Sequence, residues 1–134
     1  MLNNLIPELY CSNLKVSLEF YINNLGFRIV YLRKEEGFVM LEREGVRIML
    51  EELTNPARKW ITAPLEKPFG RGVNFQILTT DIDALYSQLI LHHVHIFMPI
   101  EDKSYRTNDT QLHCRQFIVQ DPDGYLLRFM AIKK

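Results

Sequence analysis

Apolar residues along the chain follow two rhythms, and the change from one to the other marks the elements. Leu14, Leu18, Tyr21, Ile22 and Leu25 recur at helical spacing. Asn13 or Ser12 supplies an N-cap for that helix, and Gly26 closes it as a glycine just past a helix end should. A short strand over residues 5–10 precedes the helix. Three strands follow, over 27–33, 38–43 and 46–52, separated by Glu36-Gly37 and Glu44-Gly45, pairs suited to tight hairpin turns.

The second half repeats this grammar. Residues 73–79 read as a strand, and Asp81 caps a helix whose apolar face is Ile82, Leu85, Leu89 and Ile90. Strands follow over 94–98, 112–120 and 125–132, the last two joined by the turn Asp121-Pro122-Asp123-Gly124. The chain therefore reads βαβββ twice, an α+β layout in one domain, with modules at 1–53 and 73–134. The linker, 54–72, holds Pro56, Pro64, Pro68, Gly70 and Gly72 and is too rich in breakers for a central element. The polar stretch 99–111 is longer than a usual hairpin connection and is expected to be a loop that contacts or covers a ligand.

Composition narrows the function classes. At 134 residues with 47% hydrophobic and 24% charged positions, the chain can build a core without disulfide or metal staples. Sixteen basic residues balance sixteen acidic ones, so no net field recruits nucleic acid or an anionic membrane. Cys11 and Cys114 do not make a disulfide framework, and no apolar run approaches the ~20 residues that span a bilayer. Met1-Leu2-Asn3-Asn4 lacks the basic start of a signal peptide, so a reducing cytoplasm is the expected location. No GxSxG, phosphate-binding glycine loop, HExxH or paired CxxC is present. His93 and His95 would share a strand face with His92 adjoining. Such a cluster could bind a metal adventitiously, but a solvent-exposed helix end running into an edge strand explains it more simply.

The run Asn13-Leu14, Ser17, Phe20-Tyr21, Leu25-Gly26-Phe27 resembles the opening of vicinal oxygen chelate modules. Residues 115–129, with Asp121-Pro122-Asp123-Gly124 inside them, resemble the closing hairpin. That superfamily includes glyoxalase I, extradiol dioxygenases, fosfomycin resistance enzymes and bleomycin resistance proteins. The resemblance implies a curled eight-stranded mixed sheet around a cleft, usually completed by a second subunit. It leaves open a choice between metalloenzyme and binder.

Enzymes of the superfamily hold a divalent ion with side chains from the first, fourth, fifth and eighth strands. By position these fall near Ile6 (or Glu8, if the first strand is registered two residues later), Glu51, Asn74 and Arg128. Divalent ions need several ligands with lone pairs, and a guanidinium has none to give. The resemblance is thus closest to the bleomycin resistance proteins, with no metal, no cofactor and no catalytic residue. Alternation puts Arg47, Met49 and Glu51 on one face and Ile48 and Leu50 on the other. It likewise sets Arg128 opposite Leu127 and Phe129, so Glu51 and Arg128 are expected to pair across the cleft. The expected ligand-binding set is Phe38, Met49, Glu51, Trp60, His113, Arg115 and Arg128. His113 stands where members of the family carry a tryptophan, and Trp60 could instead cover the core.

These readings lead to a homodimer that sequesters a small drug-like ligand, of which a glycopeptide antibiotic is one candidate, in a cleft at the dimer interface. Met40 and Met49 are expected to be apolar surface that the partner covers. A metal-dependent glyoxalase-like or dioxygenase-like enzyme is the alternative, and a domain that only mediates protein association is a third class.

Overall fold

The computed structural model describes residues 3–54 and 59–133. The chain divides into two units, one running to Phe69 and the other beginning at Gly70. Pro56 of the expected linker lies outside the described residues.

The first unit contains β1 (Glu8–Cys11), α1 (Leu14–Leu18), a π-helical turn (Glu19–Asn24), β2 (Arg28–Arg33), β3 (Phe38–Arg43) and β4 (Val46–Glu52). The second contains β5 (Asn74–Leu78), α2 (Ile82–Leu91), β6 (Ile96–Thr107), β7 (Thr110–Gln120) and β8 (Leu126–Ile132). Each unit forms a four-stranded sheet, in the orders β1-β4-β3-β2 and β5-β8-β7-β6. In both, the outer first strand runs parallel to its neighbour and the other pairs are antiparallel. The eight expected strands and the βαβββ order are present, divided four and four between two mixed sheets.

Each sheet buries one face beneath its helix. In the first unit Val39, Leu41, Ile48 and Leu50 are at most 1% exposed, as are Tyr21 and Leu25 of the helical segment. In the second, Ile77, Phe117, Val119, Leu127 and Phe129 pack with Leu85 and Leu89 of α2. Phe117 stacks on Phe129 with ring centroids 5.4 Å apart, and Tyr86 meets Phe117 edge-on. Burying each such side chain stabilises the fold by roughly 1.5–3 kcal/mol.

The first helix departs from its sequence pattern. Asn13 caps it, its side chain accepting from the Val16 amide, but after Leu18 the bonding widens, as in the Leu25 N–H to Phe20 carbonyl bond. The wider turn brings Phe20, Tyr21 and Leu25 all against the sheet. Leu14, Leu18 and Ile22, expected on the buried face, are only half-buried.

Turn chemistry is confirmed at Glu44-Gly45, where φ values of 48° and 83° give the mirror-image turn that hairpins favour. Glu36-Gly37 instead ends a short 3-10 segment, Lys34–Glu36, with Gly37 at φ 61°.

The stretch 99–111 corrects the sequence reading. It is not a loop: β6 and β7 run through it as a long hairpin, with Asn108 at φ 57° in the turn. Pro99 lies within β6 because β6 is the edge of its sheet, where a missing N–H costs no ladder bond. The register shifts between Met98 and Glu101 mark the irregularity there.

Candidate functional site

Cross-strand partners share a face, so the register of the first sheet fixes what its helix-free face presents. One row runs Tyr10, Glu51, Phe38, Arg33 across β1, β4, β3 and β2. The next row is Glu8, Met49, Met40, Tyr31. Phe38, Met49 and Glu51 of the expected set therefore lie together. The sequence reading missed their neighbours Tyr10, Tyr31 and Arg33, and it offered Glu8 only as the second register for the first strand. Alternation along β1 and β2 carries the signal, but only once the strand order is known.

Aromatic and charged groups interleave on this face. Tyr31 and Phe38 stack with centroids 6.0 Å apart, and the Arg33 guanidinium lies 4.0 Å from the Phe38 centroid. Arg33 is held there by Glu36. Glu51 is 7% exposed and forms an ion pair with Lys59, whose Nζ is 3.6 Å from Oε1. The same ammonium lies 6.0 Å from the Tyr10 ring centroid, within cation–π range. Trp60 N–H donates to Tyr10 Oη at 2.9 Å, and Trp60 itself is 67% exposed. Met40 is only 5% exposed, so it is not the apolar surface expected from the sequence. The exposed large apolar side chains of the first sheet are Ile29, Tyr31 and Leu32, on edge strand β2.

Burial, and then the charge of Glu51, push the Glu8 carboxyl above the usual carboxylate range, against the opposing pull of Lys59, the Tyr10 hydroxyl and Arg33. A carboxyl raised in the folded state binds more protons there than when unfolded, so stability falls as pH rises through that window. Glu8→Gln is accordingly expected to raise the melting temperature at pH 7, with the gain vanishing at pH 4 and below. Melting curves at the two pH values check this, and an equal gain at both would assign the effect to packing.

The second sheet's helix-free face is built around Arg128. Its guanidinium donates to Asn74 Oδ1 at 3.0 Å, Gln76 Oε1 at 2.9 Å and Gln116 Oε1 at 3.3 Å. Gln116 passes the network on to Glu101 and to the Tyr105 hydroxyl. Arg128 thus donates to three amide oxygens of its own unit, and Glu51 pairs with Lys59 of its own unit.

His113 and Arg115 lie on the other face of the sheet from Arg128. Arg115 bonds to Asp83 of α2 and to Asp102, which places it on the helix side of the sheet. His113 is two residues away on the same strand, bonded through Nδ1 to Ser104 Oγ. Neither shares a face with Arg128. Position relative to the Asp-Pro-Asp-Gly turn points to His113, whereas alternation puts His113 and Arg115 on the face of the buried Phe117 and Val119.

A cavity of about 630 Å³ opens on the helix side of the first sheet, lined by Leu14, Leu18, Ile22 and Leu32 with Lys15 and Lys34 nearby. It contains none of the expected site residues, and Glu52 at its edge already accepts from the Leu14 amide. The chemically equipped residues are those of the helix-free face, where Tyr10, Phe38 and Glu51 are buried.

The donors on that face do not fit a divalent ion. Among the described residues no three His, Cys, Asp or Glu side chains converge. Glu8 and Glu51 make one carboxylate pair, but the Lys59 ammonium stands beside Glu51 and would oppose a second cation.

The fold of each unit and the residues on these faces define a vicinal oxygen chelate protein without the usual ligand set. The chain belongs to the glyoxalase/bleomycin resistance protein/dioxygenase superfamily, whose family model matches residues 5–129. It is 30% identical over 133 residues to bleomycin resistance proteins of Geobacillus stearothermophilus and Staphylococcus aureus, covering 92% of each chain. The fold is similar to a protein from the mobile metagenome of V. Pseudocholerae, with a TM-score of 0.74, 17% identity and coverage of 100% and 98%. A virulence protein from Salmonella typhimurium is comparable, with a TM-score of 0.72, 16% identity and 98% coverage of both chains. No described helix is long and apolar enough to cross a membrane.

Proposed function

We propose that this protein binds and sequesters a cationic, aromatic small molecule, in the manner of the bleomycin resistance proteins it resembles, with no covalent chemistry. The row Tyr10, Glu51, Phe38, Arg33 beside the exposed Trp60 carries this reading. It sets the buried rings of Tyr10 and Phe38 and the exposed ring of Trp60 around a buried carboxylate suited to a ligand's positive charge, while Met49 supplies an adaptable wall. Although the chain has no net charge, Glu8 and Glu51 place two carboxylates on this patch, beside the cations Arg33 and Lys59. Arg128 and its amide cradle are a second candidate polar contact.

The binding form is proposed to be a two-fold homodimer, because β2 leaves Ile29, Tyr31 and Leu32 about 40% exposed along one edge. Calorimetric titration with bleomycin tests the reading. Binding is expected to saturate, and Glu51→Gln and Phe38→Ala are each expected to weaken it about tenfold or more. Sedimentation at micromolar concentration should give a dimer. Glyoxalase or dioxygenase turnover on adding nickel, zinc, iron or manganese would replace this reading with the enzymatic one.

A further inference from the structure

The cation-binding groups of the first unit are already engaged by a cation from the same chain. Lys59 follows β4 by seven residues and lies outside any helix or strand. Its side chain is nonetheless only 16% exposed, with the ammonium 3.6 Å from Glu51 and 6.0 Å from the Tyr10 ring centroid. A carboxylate on one side and an aromatic ring on the other are the two contacts an organic ammonium ligand would seek.

We propose that Lys59 is an intrinsic competitor, an internal stand-in for the ligand's positive charge, and that a cationic ligand binds by exchanging with it. This rests on the reading of the face as a cation-binding surface. Two observations support exchange over a fixed structural pair. The 3.6 Å separation is longer than a charge-assisted hydrogen bond, so the contact is mainly coulombic. The lysine stem is long and its ammonium strongly hydrated, so it can swing to water without disturbing a sheet hydrogen bond.

Exchange keeps the acidic pair neutralised before and after binding. Without ligand, Lys59 offsets the repulsion between Glu8 and Glu51; with ligand, the ligand's charge takes over. Affinity is thereby reduced by the fraction of molecules in which Lys59 occupies the site. The same exchange selects for ligands whose charge and ring arrive together, because a bare cation recovers only what the lysine already provides.

The test uses phenyltrimethylammonium as probe, titrated calorimetrically into the full chain as wild type, Lys59→Met and Lys59→Arg. Lys59→Met keeps the apolar stem and removes the charge; it is expected to bind about tenfold more tightly than wild type, as relief from a site filled ~90% of the time would give. Lys59→Arg retains the competitor and should stay near wild type. In the wild-type protein, the NMR signal of the Lys59 ε-methylene should move toward that of a free lysine as probe is added, a readout independent of whether any variant folds. Equal or weaker binding by Lys59→Met, or an unmoved ε-methylene at saturation, overturns exchange while leaving cation binding in place. If neither wild type nor Lys59→Met binds the probe, both the exchange and the cation-binding reading fall.

Discussion

Replacing Asp121 by alanine is expected to cost about 3 kcal/mol of stability, because one buried carboxylate oxygen satisfies three backbone donors. Asp121 Oδ1 accepts from the amides of Asp123 at 2.9 Å, Gly124 at 2.9 Å and Tyr125 at 3.0 Å. Asp121 is 5% exposed, so water cannot replace the lost acceptor without entering the turn. For a chain of this size the loss corresponds to roughly 10 °C in melting temperature. Asp121→Asn keeps an oxygen in place and should recover part of it. Thermal melting of the three proteins decides the matter; an alanine variant melting within a degree or two of wild type would mean that the turn is held by its strands alone.

The turn also sets Tyr125, and the second large effect comes from what Tyr125 covers. Gly70 has φ +72°, and a Cβ there would lie 2.5 Å from Tyr125 Cδ1 and 3.0 Å from Cε1. Gly70→Ala therefore combines the left-handed backbone penalty with a clash against a side chain that is 8% exposed. The expected cost is about 2–4 kcal/mol. Gly72 separates the two terms, since its φ is +88° but a Cβ would meet nothing within 4 Å. Gly72→Ala should cost only about 1 kcal/mol, from the backbone alone. Denaturant unfolding of both variants gives the comparison, and equal losses would show that Tyr125 simply moves aside.

Much of the fold was legible because local signals agreed with one another. The Asn13 and Asp81 caps, the Glu44-Gly45 turn and the Asp-Pro-Asp-Gly turn all occur where residue type and hydrophobic rhythm place them. The strand at 99–111 was hidden because it is largely exposed at its far end, so no alternation of apolar and polar residues records its pleat. Pro99 argued further against a strand, and only its place on an edge removes the objection. The site was half legible for a related reason. Alternation along a single strand puts Glu51 and Met49 on one face, and the family resemblance points to Phe38. Tyr10, Arg33 and Lys59 join them through parallel pairing, an antiparallel neighbour and an irregular segment, none of which is legible before the strand order is known. Arg128 was set on the correct side of β8, but its partners come from strands whose order no local pattern encodes.

The β6–β7 hairpin carries a further consequence. Pairing between β7 and β8 ends at Cys114, so residues 105–112 continue as a two-stranded ribbon with backbone edges on both sides. Open edges of this kind are templates on which other chains can add, the first step toward aggregation. Here the ribbon and its approach are studded with charge, Lys103, Arg106 and Asp109 among them, and Asn108 at φ 57° turns the tip sharply. The polarity that disguised this segment as a loop is what keeps a protruding β-ribbon soluble: charge along the ribbon makes its edges poor seeds for intermolecular sheet growth.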